Sequence, residues 1–207
     1  MTTAGSSRPP AASDEPPDAL HARAMEDLRY IRRTMEGAAA FTALSGWGGV
    51  VVGVTAFPAA YLAARAASHR TWMLVWLIEA AVGALLGAGM TVRKARRARQ
   101  PLFGRPGRKF ALTFATPMAA GAVLTVPLYY GGMTAMLPGT WLLLYGTAFA
   151  TAGAFSVSAV PVMGLSFMVV GIAALAAPAA WGNVFMAAGF GALHLLFGAL
   201  IARKHGG

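Results

Sequence analysis

The sequence predicts an all-α polytopic membrane bundle: six transmembrane helices preceded by a cytoplasmic amphipathic helix. Three observations carry this expectation. Apolar side chains make up 57% of the 207 residues and charged ones only 12%, with 25 further positions taken by Gly. A soluble domain has about 45–50% apolar residues with Gly already counted, and roughly 25% charged. Mean hydropathy is +0.59. The apolar residues collect in long runs beyond residue 38, with room for six segments of about 20 residues and short links. Finally, the basic residues fall in alternate connections. Cysteine is absent, so disulfides, thiolate metal sites and a Cys nucleophile are excluded.

Residues 1–17, rich in Pro, Ser and Ala, bury too little apolar surface to fold and read as a disordered tail. No apolar run follows within the first 30 residues, so no secretory signal is expected. Asp18 suits the cap of a helix over residues 18–37. Leu20, Ala24, Leu28, Ile31 and Met35 recur every three or four residues on one face, with Arg23, Glu26, Asp27, Arg32, Arg33 and Glu36 around the rest. Such a helix lies on the membrane surface, packs on its own domain or binds a protein partner.

The transmembrane domain is expected over 38–205, with spans at 41–64, 71–92, 110–130, 137–155, 157–177 and 183–202. Residues 137–177 form one apolar stretch interrupted only by polar or breaking residues such as Ser156, Ser158 and Pro161. Forty residues exceed a single crossing, so a tight turn near Ser156 divides them. Of the 17 Lys and Arg residues, fifteen lie before the first span, in the 93–109 loop or at the C-terminus, and two, Arg65 and Arg70, lie in the first loop. The positive-inside rule then places both termini and the 93–109 loop in the cytoplasm, in an inner-membrane protein. The basic loop has this topological role, with attraction to anionic lipid headgroups at 93–109 as a second. No aromatic residues interleave with its charges, which argues against nucleic-acid binding.

Small residues recur within the spans: Gly49-x-x-x-Gly53, Gly83-x-x-x-Gly87, and Gly182, Gly189, Gly191 and Gly198. In lipid, such residues let helices approach closely, within one chain or in a homo-oligomer. Gly46, Gly48 and Gly49 around Trp47 mark a bend or break in the first span.

Glu79 is the one acidic residue after position 36, and His194 lies in the last span. Both share stripes with glycines (Gly83 and Gly87; Gly191 and Gly198), so both are expected to face other helices. Their depths differ by five residues, about 7–8 Å at 1.5 Å per residue, so direct contact needs tilt or extended side chains, and a water or a hydroxyl such as Tyr145 is the alternative bridge. Glu79, His194 and Tyr145 thus form the candidate buried polar or proton site. The competing reading is hydrogen bonding within the bundle.

No chemistry of a known enzyme class is present. The rhomboid-protease serine motif G-x-S-G is matched neither by Gly153-Ala-Phe-Ser156 nor around Ser166. No H-E-x-x-H helix, paired carboxylates or nucleotide loop occurs. No metal site or cofactor is expected.

Three stretches, Tyr30-Ile-Arg-Arg-Thr-Met-Glu36, Phe41-Thr-Ala-Leu-Ser-Gly-Trp-Gly-Gly49 and the last span from Gly189-Phe-Gly-Ala-Leu-His-Leu-Leu-Phe-Gly198 to Gly207, resemble a family of uncharacterised bacterial multi-pass membrane proteins. The resemblance implies a six-span membrane fold, no activity and no functional residue. Two functions then compete. One is a non-enzymatic bundle that senses, scaffolds or regulates through helix 18–37. The other is a small transporter or channel with a proton- or cation-coupled site at Glu79 and His194.

Overall fold

The computed structural model describes residues 21, 23–31, 42–99, 101, 102 and 104–205. The chain divides into two units, Met1–Ala38 and Ala39–Gly207. In the first, residues 23–31 are helical with exposed side chains, Leu28 and Ile31 of the expected apolar stripe among them. The tail 1–17, Asp18 and the rest of the expected amphipathic helix, residues 19, 20, 22 and 32–37, lie outside the described residues.

The second unit is built of helices, with no strand among its described residues. Its helices are α1 (Gly46–Ala64), α2 (His69–Arg97), α3 (Arg105–Tyr130), α4 (Leu137–Ala152), α5 (Ala159–Ala176) and α6 (Ala179–His205). Contacts show that α1 and α2, and likewise α3 and α4, run antiparallel. Thr55 of α1 meets Glu79 of α2, while the backbone N–H of Ser45, just before α1, meets Thr91 further along α2. Trp141 of α4 bonds Thr125 of α3, while Phe149 packs on Phe114.

Five of these helices are long and apolar enough to cross a membrane. The exception is α4, with 16 residues. At 1.5 Å per residue it spans about 24 Å, short of a hydrocarbon core of about 30 Å. Three-residue 3₁₀ turns, Thr134–Met136 and Gly153–Phe155, continue it without interruption at both ends. The helical run 134–155 therefore extends about 36 Å, since 3₁₀ residues rise about 2 Å each.

Two helix pairs form the interior. In α4 and α5, glycines recur every seven residues: Gly139, Gly146 and Gly153 on one helix, Gly164 and Gly171 on the other. The pair runs antiparallel with backbones touching. A Cβ on Gly146 would lie 2.6 Å from the Gly164 carbonyl oxygen and 2.7 Å from the Met168 nitrogen. Pro161, in the first turn of α5 where no helical hydrogen bond is lost, packs against Gly153. The second pair is α1 with α6. A Cβ on Gly53 would lie 2.8 Å from the Gly191 carbonyl oxygen, and one on Gly198 would lie 2.6 Å from the Val50 nitrogen. Where lipid offers no hydrophobic drive, such contacts give the dispersion attraction that holds helices together.

The expected break in the first span takes a different form. Residues 42–45 are non-helical, and Ser45 caps α1 by accepting the Gly48 N–H. Gly46 and Gly49 are the first turn of a continuous helix and its approach surface to α6, because a side chain at Gly46 would meet the backbone of Ala202. Likewise the α6 glycines split between two faces. Gly191 and Gly198 meet α1, whereas Gly189 meets Leu142 and Phe167, and Gly182 meets Pro138.

The outer helices contrast with these. Buried residues form 33–39% of the apolar windows of α1, α5 and α6, but 11% of that of α2 and 6% of that of α3. Leu77, Ile78, Leu85, Leu112, Val123 and Val126 are exposed on them. An apolar helix with so little buried surface needs an apolar solvent, which a bilayer supplies.

Candidate functional site

His194 sits at the centre of the bundle, 3% exposed. The helix that carries it is irregular just before it: Ala187–Leu193 form a π segment. The backbone N–H of His194 turns to Gly191 O. Phe190 O, its ordinary α-helical partner, is left to accept from the ring Nδ1 at 3.0 Å. A carbonyl only accepts, so Nδ1 carries hydrogen, and in the neutral ring Nε2 is an acceptor. Tyr145 on α4 meets Nε2 at 2.7 Å and donates its O–H there. Both ring nitrogens are satisfied.

Aromatic rings enclose the pair. Phe167 and Phe190 lie 5.2 and 6.1 Å from the imidazole centroid, and Phe149, Phe167 and Phe190 each within about 5 Å of the Tyr145 ring. Phe114 closes the α3 side. Edge and tilted contacts of this kind add about 0.5–1.5 kcal/mol per pair beyond burial.

Glu79 lies elsewhere. It is half-buried on the α1-facing side of α2 and accepts from the Thr55 hydroxyl at 2.8 Å. The same hydroxyl is 2.9 Å from Val52 O. One hydrogen serves one of these acceptors at a time, so Thr55 keeps a partner without Glu79. Gly83 and Gly87, the rest of the Glu79 stripe, receive Val52 of α1. The Tyr145 bridge is therefore corrected: among the described hydrogen bonds, Tyr145 joins His194 and not Glu79. The five-residue depth offset is not spanned, because the Tyr145 hydroxyl is directed at Nε2 while Glu79 is held by a nearer hydroxyl on its neighbouring helix. The three residues form two sites.

Comparison with protein-family models, with curated proteins and with solved structures finds no match. Among the described residues, no group of three or more His, Asp or Glu side chains is placed to hold a metal ion. The Tyr145–His194 pair has no nucleophile or carboxylate beside it among its hydrogen-bond partners.

A polar cluster at the opposite end from the basic loop was not anticipated. Trp72 and Trp76 of α2 both donate to Asn183 Oδ1 of α6, at 2.8 and 3.3 Å. Trp72 stacks on Trp141 at 5.6 Å, and Trp141 donates to Thr125. Asn183 was visible as an isolated amide at a span end. Its partners depend on which face of α2 meets α6, which the sequence does not display. At the basic end, Lys94 donates to Leu44 O and His205 O, tying α2 to the start of α1 and the end of α6.

Proposed function

We propose that this chain is a six-span inner-membrane protein, akin to the bacterial family it resembles, with both termini in the cytoplasm. It acts as a non-enzymatic sensing, scaffolding or regulatory bundle. One observation carries the choice over transport: α1 with α6, and α4 with α5, meet backbone to backbone, with His194 saturated by Tyr145 and Phe190 O between them. A carrier needs a water-accessible site that alternates between two sides, and this interior is packed with rings and small residues. Six crossings are supported by the uninterrupted helical run 134–155 and by the antiparallel pairing of α1 with α2, α3 with α4 and α4 with α5. The fifteen-to-two basic count supports the orientation. Helix 18–37 is the surface for a protein partner, and the exposed apolar faces of α2 and α3 serve lipid or a second copy.

The rival reading, a small proton- or cation-coupled transporter, draws on the π segment beside His194, since such segments often mark functional sites. Proteoliposome flux with and without a proton gradient decides between them. The proposal expects no coupled flux. Flux abolished by Glu79→Gln or by Tyr145→Phe in an intact fold would overturn it. Reporter fusions at Gly107 and Gly207 test the topology, and a periplasmic reporter active at Gly207 would remove one crossing.

A further inference from the structure

At the basic end of the bundle, the start of α1 and the last turns of α2 enclose a cleft of about 240 Å³ lined by Ser45, Trp47, Met90, Arg93, Lys94 and Arg97. We infer that this cleft is a discrete binding site for the phosphate headgroup of one anionic phospholipid. The inference goes beyond the proposed function: it needs only that the apolar helices lie in a bilayer, whatever the bundle does.

Four features converge on a phosphate ester. Arg93 and Arg97 are one helical turn apart on α2 and exposed, so their guanidinium groups reach the same volume. Planar guanidinium groups match phosphate oxygens in bidentate pairs. Lys94, anchored by the Leu44 and His205 carbonyls, fixes a third positive charge in the cleft wall. The cleft also abuts the N-terminus of α1, a helix of 19 residues with no acidic residue in its first turn, so the positive end of its dipole adds to the field. The only acidic side chain between residues 42 and 205 is Glu79. It lies 14 residues up α2 from Arg93, about 21 Å away at 1.5 Å per residue, too far to pair with the cations of the cleft.

Two features select a lipid over a free anion. The cleft stands where two apolar helices end, at the level a headgroup occupies. Its wall also contains Met90 and Trp47, the indole 55% exposed, suited to glycerol and upper acyl carbons at the interface. Basic pockets between membrane helices bind headgroups in this way.

The test is native mass spectrometry of the delipidated full chain in detergent, titrated with dioleoyl phosphatidylglycerol, dioleoyl phosphatidylcholine or inorganic phosphate alone. One phosphatidylglycerol per chain is expected to be retained preferentially over the other two. Arg93→Gln with Arg97→Gln should weaken it about tenfold, a change of about 1.4 kcal/mol. Arg105→Gln with Arg108→Gln removes the same charge outside the cleft and should change affinity by less than about twofold if binding is local. Equal losses from both pairs would show diffuse attraction and overturn the site. Phosphatidylcholine binding as well as phosphatidylglycerol, or phosphate alone binding as tightly, would also overturn it. Single Arg97→Gln, at the exposed end of α2, gives the same reading if the double variant does not fold. Bilayer residence is tested separately, by carbonate extraction of membranes, and does not depend on these variants.

Discussion

Helices α6 and α2 are both long and apolar, yet they are built for different surroundings. In α6, glycines open onto the backbone of α1, onto Leu142 and Phe167, and the one histidine between them is enclosed and fully bonded. In α2, Gly83 and Gly87 receive only the Val52 side chain, Gly89 faces open space, and the helix leaves Leu77, Ile78 and Leu85 exposed. Hydropathy is nearly the same, 2.1 and 1.9 over their apolar windows. The comparison teaches that hydropathy reports the membrane, while the neighbours of each glycine report the packing. His194 on α6 is saturated by the fold. Glu79 on α2 is tied by a single hydroxyl.

Substitutions at matched glycines should break or sharpen this contrast most strongly. Gly146→Leu drives a side chain into the Gly164 carbonyl and the Met168 nitrogen. Loss of more than about 4 kcal/mol, or no monodisperse protein at all, is expected. Gly89→Ala has nothing within 4 Å of the new carbon, so size-exclusion profile and melting temperature should be unchanged or slightly improved, within about 1 kcal/mol. Similar damage from both would erase the distinction between inner and outer helices.

The polar sites come next in size. Tyr145→Phe keeps the ring contacts but removes the donor to His194 Nε2. About 1 kcal/mol should be lost in detergent unfolding, in line with hydrogen bonds measured inside membrane bundles. Thr55→Val should lose less, about 0.5 kcal/mol, since the Glu79 side chain it bonds is half-buried and not enclosed as His194 is. Smallest of all, Glu79→Gln and even Glu79→Leu should change thermal stability by no more than about 0.5 kcal/mol, because Thr55 still has Val52 O. A large loss in the Leu variant would mean that Glu79 holds the fold through partners other than Thr55.

Much of this architecture was legible from residue types. The apolar runs located the helix ends to within about five residues; α2 runs from His69 to Arg97 against an expected 71–92. The turn between α4 and α5 falls at Ser156–Ser158, where polar residues and Pro161 interrupt the apolar stretch. Two things were harder to read. The seven-residue spacing of Gly139, Gly146 and Gly153, and of Gly164 and Gly171, is plain in the sequence but lies outside the four-residue small-x-x-x-small pattern. It becomes a contact only when two antiparallel helices share a register. The candidate site was read as one because Glu79, His194 and Tyr145 are the scarce polar groups. Rarity brings polar groups to helix interfaces, but which interface depends on helix neighbours. With α2 beside α1 and α4 beside α6, each polar group found its nearest partner locally.

A double-mutant cycle on Glu79→Gln and Tyr145→Phe, read by reversible unfolding in detergent, tests most directly whether the candidate residues are one site or two. The Tyr145→Phe and His194→Ala pair serves as the coupled reference, because those residues share a bond of 2.7 Å. For separate sites, the Glu79 and Tyr145 effects add to within about 0.5 kcal/mol. An interaction energy above about 1 kcal/mol between Glu79 and Tyr145 would show a single coupled polar site. It would restore the proton- or cation-coupled reading and contradict the closed, structural interior described above.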